Sequence, residues 1–198
     1  MRDFHVFIEQ QGEQIYVGKI TGSGSEDAVF SYAQEYLDNP SSCPISIHLP
    51  LQAQNFSAEE TSLFFEGLLP EGFTRKCVAG WIHADEYDYL TILAALGREC
   101  LGAIQIIEDG MDVPKAGYQK LTKEDVCRLA KEGASEAAEL VTKAHLSLTG
   151  ASGKVGLYYK IDTNEWYLPI GAAPSTHIVK QSHVRLEKIV VNEQLCLL

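Results

Sequence analysis

Two stretches of alternating apolar and polar residues frame this chain, and helical patterns lie between them. The first stretch includes Phe4 and Val6 and resumes over Ile15–Ile20, and the second begins at Val155. This period of two is typical of strands that bury one face. Residues 57–141 instead carry helix-capping residues and apolar residues at helical spacing. The order predicts an α+β fold, with an N-terminal mixed sheet and helices followed by a small antiparallel sheet and the start of a helix.

Individual elements follow from the same patterns. A hairpin turn is expected at residues 10–12, and the predicted strands are 4–8, 15–20, 28–32, 45–49, 101–107, 146–149, 155–159, 165–168 and 176–180. Three helices are predicted from their first residues and ends. Ser57 with Glu60 has capping-box spacing, Asp85 caps a helix that ends at Gly97, and Thr122 with Asp125 begins a third. The alanine-rich residues 134–141 and the stretch from 186 onward are also expected to be helical.

Charge is distributed unevenly along the 198 residues. The chain has 16 Lys and Arg against 27 Asp and Glu, a net charge of −11, which argues against nucleic-acid binding through bulk charge. Residues 1–140 hold 10 basic and 23 acidic residues, a net charge of −13, whereas residues 141–198 hold 6 and 4, a net charge of +2. The last third therefore presents a different kind of surface.

Cysteine and histidine usage indicates the compartment and the absence of a metal site. The five cysteines are scattered without a CxxC pair, and the six histidines form neither HxH nor HExxH. The N-terminus does not have the pattern of a signal peptide, and no apolar run reaches membrane-spanning length. We expect a reduced, cytoplasmic protein that binds neither zinc nor a membrane.

Other polar and aromatic residues are assigned to surface and core. The charged side chains of Glu66, Glu71 and Arg75 flank the helix break at Pro70 and are expected to be solvated. The large aromatic residues of the helical region are expected in the core, namely Phe64, Phe65, Trp81 and Tyr89.

The last third has the order of elements that a nucleotide-binding lobe needs: strand, glycine-rich turn, strand, hairpin, lysine-bearing strand, helix. A glycine-containing turn lets backbone N–H groups approach phosphates, and a strand lysine held by a helical glutamate supplies positive charge. Gly150–Lys154, Lys180 and Glu193 are the residues in these positions. The turn is not a Walker A loop, because Gly150 lies three residues before Gly153 rather than five, and an ordinary tight hairpin turn fits its spacing as well.

Successive motifs resemble those of HipA-family serine/threonine kinases, the toxins of bacterial type II toxin–antitoxin modules. The motifs in the last third are SLTGASGK at 147–154, WYLP at 166–169, PSTHIVK at 174–180 and VNE at 191–193. The N-terminal part resembles the family's N-terminal subdomain at 30–37, 45–50, 64–72 and 93–103. The resemblance spans almost the whole chain and implies a kinase-like N-lobe after residue 143.

The resemblance also implies roles for particular residues. Ser147 matches the serine whose autophosphorylation expels the glycine-rich loop and switches the kinase off, and Thr149 is a second candidate acceptor. Lys180 would contact phosphates as the strand lysine, and Glu193, after Asn192, would orient it. The phosphate-covering loop and the residue after it would be Gly150, Ala151, Ser152, Gly153 and Lys154.

Two departures from the family pattern limit the chain's chemistry. The family usually has Gln after Gly-Ala, where this chain has Ser152 and Gly153. Phosphoryl transfer also needs Asp and Asn residues that position the hydroxyl and bind Mg²⁺, yet the only Asp after Asp125 is Asp162, in a predicted turn. We therefore expect a C-terminal lobe to be absent, residue 198 to be an internal point of a longer protein or of a disrupted gene, and the chain alone to be inactive.

Domain bounds and partners complete the expectation. Residues 1–110 would be the N-terminal subdomain, 111–143 a helical connector, and 144–198 the beginning of the kinase domain. The resemblance implies ATP and Mg²⁺ as ligands of the full-length parent. It also implies a helix-turn-helix, HipB-like antitoxin through which DNA is bound indirectly, and a protein substrate such as an aminoacyl-tRNA synthetase.

A non-enzymatic alternative stays open. In some relatives the N-terminal subdomain is a separate small protein that restrains the kinase. Residues 1–110 would then be an interaction or antitoxin-like module, and the acidic surface of this region suits a basic partner.

Overall fold

A four-stranded sheet organises the N-terminal half of the protein. The computed structural model describes residues 1–10, 13–98, 101, 103–132, 154–171 and 173–180. The strands are β1 (Arg2–Gln10), β2 (Glu13–Gly22), β3 (Val29–Tyr32) and β4 (Ile104–Glu108), in the spatial order β3-β2-β1-β4. Between β3 and β4, the described residues form α1 (Gln34–Leu37), α2 (Ala58–Glu66), α3 (Gly72–Trp81) and α4 (Tyr89–Leu96).

The second sheet contains the strands of the last third and one further strand. Its order is β5-β7-β6-β8, with β5 (Gly117–Lys120), β6 (Lys154–Lys160), β7 (Glu165–Ile170) and β8 (His177–Lys180). The helix α5 (Lys123–Glu132) follows β5 and contacts β8. The predicted hairpin between β6 and β7 is confirmed, and its last turn residue, Asn164, has the positive φ of 53° that such turns favour.

The α+β class is confirmed, and so is the antiparallel second sheet. The first sheet was expected to be mixed, but all three of its strand pairs are antiparallel. Short connections join β1 to β2 and β2 to β3, and a parallel pair would need a crossover of a dozen or more residues. The chain then enters β4 opposite Ile8 and runs back to Glu108, opposite Phe4. The division of the chain at residues 110 and 143 stays a prediction.

Phe30 joins the first sheet to its helical layer. It is fully buried, and its ring centroid lies 5.4 Å from that of Phe65 on α2 and 5.8 Å from that of Phe56. Its backbone N–H donates to Thr61 Oγ1 at 2.9 Å, and its carbonyl accepts from the Phe56 N–H at 2.9 Å. The edge of β3 is therefore covered by side-chain and loop partners, which satisfies groups that an exposed edge strand leaves unpaired.

Two predicted helix starts are confirmed, and both are capping boxes. Ser57 Oγ accepts from the Glu60 N–H at 3.2 Å, and the Glu60 carboxylate accepts from the Ser57 N–H at 2.8 Å. Thr122 and Asp125 make the same reciprocal pair at the start of α5, at 3.1 and 3.0 Å. Each pair satisfies two N–H groups that have no partner within the helix.

The predicted strand at 45–49 is wrong. Leu49 is fully buried and Ile47 is 88% exposed, so the alternating apolar residues do not share a buried face. The Tyr32 hydroxyl holds this segment as a loop, since it accepts from the Ile45 N–H at 3.1 Å and donates to the Leu49 carbonyl at 2.6 Å. Only an isolated bridge between Ser46 and Leu49 remains of the expected strand.

The helical middle differs from expectation in four respects. The cap of α4 is Asp88, which accepts from the Thr91 N–H at 3.2 Å, whereas Asp85 accepts only from the Tyr87 N–H in the preceding turn. Gly97 ends α4 as predicted. The helix α3 was not predicted, because Pro70 and Gly72 indicated a break, and β5 was not predicted either. Trp81, expected in the core, is 45% exposed at the end of α3.

Asp88 is also the centre of a polar network that ties four elements together. Its carboxylate accepts from Ser25 Oγ at 2.8 Å and from Thr91 Oγ1 at 2.6 Å. Arg2 Nη1 donates to Thr91 Oγ1 at 3.0 Å, and Arg2 Nε pairs with Glu108 at 2.7 Å. The network connects the start of β1, the loop before β3, the start of α4 and the end of β4.

Replacing Asp88 by Ala is expected to lower the free energy of unfolding by about 1–2 kcal/mol, because the α4 cap and the link to Ser25 are lost together. Asp85→Ala is the matched control and is expected to change it by less than about 0.5 kcal/mol. Urea unfolding of both variants measures the difference. Equal losses would contradict the assignment of the cap to Asp88.

The loss of stability in Asp88→Ala is also expected to depend on pH. Partial burial raises the pKa of Asp88, but hydrogen bonds from Thr91 and Ser25 outweigh it, and the folded-state pKa lies below the ordinary value of 3.8. A carboxyl group whose pKa is lowered by folding stabilises the fold at pH values above its unfolded-state pKa. This stabilisation is lost as the pH falls through the folded-state pKa. The difference in the free energy of unfolding between wild type and Asp88→Ala is therefore largest at neutral pH and decreases at pH values below 3.8.

Candidate functional site

One face of the second sheet collects the lysines that the sequence analysis singled out. Cross-strand partners and alternate residues of a strand share a face. The registers of β6 with β8 and β7, and of β7 with β5, therefore define one set of side chains. We call it the lysine face, and its members are Tyr118, Lys120, Lys154, Gly156, Tyr158, Lys160, Glu165, Tyr167, Pro169, Ile178 and Lys180.

Two predicted phosphate-binding residues are direct neighbours on this face. Lys154, the first residue of β6, pairs with Lys180, the last residue of β8. Both side chains are half-buried. The register therefore places two lysine side chains next to each other at one end of this face.

The next pair along the same two strands is apolar. Gly156 lies opposite Ile178, whose side chain is 56% exposed. Gly156 is itself buried, so the exposed apolar surface next to the lysine pair comes from Ile178. The lysine face thus combines positive charge with an adjoining apolar area.

A tyrosine cluster comes next along the face. Ring centroids lie 4.4 Å apart for Tyr118 and Tyr158, 6.2 Å for Tyr158 and Tyr167, and 6.4 Å for Tyr118 and Tyr167. The Tyr167 hydroxyl donates to Glu165 at 2.7 Å, and Lys120 pairs with the same carboxylate. The Lys120 contact, followed by the hydroxyl of Tyr167, lowers the pKa of Glu165 to about 2.

The opposite face of the sheet belongs to the core. Val155, Leu157 and Leu168 are buried on it. At its outer end the ring of His177 packs edgewise against Tyr159 and Trp166, with centroids 5.5 and 5.4 Å away. The imidazole ring of His177 thus packs against two aromatic side chains.

Two of the predicted site residues lie within the described ranges. Lys154 and Lys180 are described and brought together, as shown above. The remaining candidates lie outside the described residues, namely Ser147, Thr149, Gly150, Ala151, Ser152, Gly153 and Glu193. Sequence reasoning missed the tyrosine cluster and Ile178, because their shared face depends on strand pairing; the aromatic residues in the alternating segments were the only available signal.

The polar residues at the helix break are not all solvated. Arg75 is only 14% exposed, and its Nη1 lies 2.8 Å from Glu66 Oε1 while its Nε donates to the Glu86 carbonyl at 2.6 Å. The expectation of a solvated Arg75 is therefore wrong: the arginine links α2, α3 and the loop before α4.

Metal ligands and membrane spans were also searched among the described residues. No group of three or more His, Cys, Asp or Glu side chains in these ranges is arranged to hold a metal ion. Cys43, Cys77 and Cys127, the cysteines for which the structure gives a state, are free thiols. No helix in the described ranges combines the length and apolar character needed to cross a bilayer.

The pKa of Glu165 tests the geometry of the lysine face. Lys120 contributes most to the lowering of this pKa. Its removal in Lys120→Met is expected to move the pKa from about 2 toward the ordinary value of 4.5. A carboxyl-detected NMR titration measures it. Lys160→Met is the control, because Lys160 pairs with Glu165 only by strand register. An unchanged pKa in Lys120→Met would contradict the described contact.

Comparisons with known proteins agree with the fold. Residues 10–107 match the family model described as HipA N-terminal domain. A solved structure of the Shewanella oneidensis HipA, HipB and operator DNA complex contains a chain that matches with a TM-score of 0.63 and 21% identity. The match covers 88% of this chain and 40% of that one. At this identity the match shows a shared fold.

Curated relatives give the same family. The chain is 31% identical over 186 residues to "Putative kinase Y4mE" of Sinorhizobium fredii, covering 89% of this chain and 43% of that protein. It is 24% identical over 189 residues to the serine/threonine-protein kinase toxin HipA of Shewanella oneidensis, covering 94% and 42%. It therefore spans less than half the length of these two relatives.

A shorter relative matches over nearly its whole length. An uncharacterized protein of Haemophilus influenzae is 30% identical over 112 residues, which cover 55% of this chain and 98% of that protein. Together with the match to the HipA N-terminal domain and the HipA fold, these similarities lead to one conclusion. The chain belongs to the HipA family.

Proposed function

We propose that this chain is the N-terminal region of a HipA-like serine/threonine kinase toxin of a type II toxin–antitoxin module, and that its lysine face is the ATP phosphate-binding half-site. The two longer relatives, one named as a putative kinase and the other as a kinase toxin, support this proposal. The half-site proposal rests on one observation, the pairing of Lys154 with Lys180.

The charge and shape of the lysine face fit a nucleoside triphosphate. Two lysines on directly opposed strands each offer an ammonium group that can form a charged contact with a bound triphosphate. The exposed Ile178 offers apolar surface beside the phosphates. In the sequence, Gly150–Gly153 directly precede Lys154, so a loop that covers the phosphates would start at the same point.

Phosphoryl transfer is assigned to the rest of a longer parent protein. A Mg²⁺ site needs carboxylate and other oxygen ligands, and the described ranges contain no cluster that supplies them. We therefore assign ATP phosphates, but not Mg²⁺, to the described residues. Ser147 is retained as the regulatory autophosphorylation site of the complete kinase, with Thr149 as the second acceptor and Glu193 as the partner of Lys180.

The partners follow from the same relatives. The matched Shewanella structure contains HipA, HipB and operator DNA, which supports a HipB-like antitoxin that links this kinase to DNA. A protein such as an aminoacyl-tRNA synthetase is proposed as the phosphorylated substrate, and the cytoplasm as the compartment.

Lys154→Gln and Lys180→Gln are each expected to weaken the binding of ATP and of inorganic tripolyphosphate about tenfold or more, because each removes a charged contact to the phosphates. Lys160→Gln is the matched control, since Lys160 lies on the same strand and face but away from the pair. Isothermal titration of the 198-residue chain measures the three affinities. Equal losses in Lys154→Gln and Lys160→Gln would show a nonspecific charge effect and contradict the half-site.

A second candidate function is an interaction module that restrains a HipA-like kinase. The Haemophilus influenzae relative favours it, because the matched segment covers 98% of that protein, which therefore contains little beyond this region. The acidic balance of residues 1–140, a net charge of −13, suits a basic partner.

The two functions differ in their effect on a complete kinase. If the chain is a restraining module, adding it to a HipA-like kinase lowers autophosphorylation in proportion to the amount bound. A kinase fragment leaves the rate unchanged, and its gene continues after Leu198 into a reading frame that encodes catalytic Asp residues. A stop codon followed by a separate kinase gene would favour the module.

A further inference from the structure

The strand β5 is an edge of the second sheet, and its outer side is open. Among the described strands it pairs only with β7, and Tyr118, Gln119 and Lys120 are all exposed. The edges of the first sheet have partners outside the sheet, such as the Gly97 carbonyl, which accepts from the Ile106 N–H of β4 at 2.7 Å. An uncovered edge offers its backbone N–H and C=O groups to a strand from another chain.

The hydrogen bonds between β5 and β7 determine which backbone groups point outward. The Leu121 N–H donates to the Trp166 carbonyl at 2.9 Å, in line with the β5–β7 register. In an antiparallel pair, alternate residues direct both backbone groups toward the neighbouring strand, and the residues between them direct theirs away. Gln119 therefore faces β7, whereas Tyr118 and Lys120 turn their N–H and C=O groups outward. Within the described part of the chain, neither of these two N–H groups has a hydrogen-bond partner.

The side chains of the same two residues do not shield the edge. Lysines often protect edge strands by placing a charge where another strand would pair. Lys120 is the only charged residue of β5, and its ammonium pairs with Glu165 of the same sheet. The Tyr118 hydroxyl donates to the Pro174 carbonyl at 3.0 Å. Both side chains are thus held over their own sheet, and the outward backbone groups stay accessible.

We infer that two copies of this chain associate through their β5 edges, which pair antiparallel about Gln119. This register places Tyr118 of each copy opposite Lys120 of the second copy, and it satisfies the outward N–H and C=O groups of both copies at once. It sets an ammonium beside an aromatic ring and puts no like charges directly opposite each other. A second copy therefore complements the edge fully, and the two second sheets become one continuous sheet.

The pairing surface is small, since each copy contributes one strand of four residues. We therefore expect a weak dimer, with a dissociation constant below about 1 mM but well above the nanomolar range of large interfaces. Amide hydrogen exchange of the 198-residue chain, followed by NMR at about 0.02 mM and about 2 mM, tests the register, and sedimentation measures the mass. The Tyr118 and Lys120 N–H groups are expected to exchange about threefold or more slowly in the concentrated sample. The Gln119 and Leu121 N–H groups, which face β7, should be protected equally at both concentrations.

Lys120→Pro and Lys120→Met form a matched pair of variants. Both remove the ammonium, but only proline removes the outward N–H, and an edge strand tolerates proline where the N–H faces solvent. Lys120→Met is expected to dimerise and Lys120→Pro to stay monomeric, with circular dichroism as the check on folding.

The exchange measurement on wild type decides the question even if Lys120→Pro does not fold. The inference is overturned if the concentrated chain stays monomeric, or if association leaves the Tyr118 and Lys120 N–H groups unprotected. Equal protection of these two groups at both concentrations, or equal association of folded Lys120→Pro and Lys120→Met, would also contradict it. Protection that appears only on addition of polyglutamate would assign the edge to an acidic partner instead of a second copy.

Discussion

The register between β6 and β8 is the constraint on which the proposed site depends. Because side chains alternate along a strand, a slip of one residue would move either lysine to the opposite, buried face. The observed register pairs Lys154 with Lys180 and, one step inward, buries Val155 beside the partly buried Val179. The apolar pairing on the core face thus fixes the charged pairing on the other. Burial of the apolar residues on the opposite face stabilises this register.

Local patterns predicted much of the fold. The capping boxes at Ser57 and Thr122 depend on residues three positions apart, and alternation needs only one strand, so both are visible without tertiary information. The elements that were predicted wrongly depend on tertiary contacts. The segment 45–49 alternates correctly, but the hydroxyl of Tyr32 holds it as a loop. Asp85 and Asp88 are both good caps by type, and only the network with Ser25 and Thr91 distinguishes them.

The candidate site was predictable to a smaller extent. Lys180 and Lys154 were identified from a resemblance, but their direct opposition depends on a register that no local pattern determines. The tyrosine cluster needs β5 beside β7, a pairing between segments far apart in the sequence. Tyr118 was assigned to no element, and nothing local indicated that it would meet Tyr158. The loop and helix residues of the predicted site lie outside the described ranges, so their roles stay predictions.

The uneven charge of the chain acquires a physical meaning in this arrangement, since the region with net charge +2 contains the lysine pair and the acidic region does not. The most direct test is an NMR titration of the lysine side-chain ammonium groups with inorganic tripolyphosphate. The account predicts that the Lys154 and Lys180 signals shift together with a single dissociation constant, while the Lys160 signal stays in place. If all three shift alike, or if Lys154 and Lys180 shift with separate constants, the two lysines do not form one phosphate site.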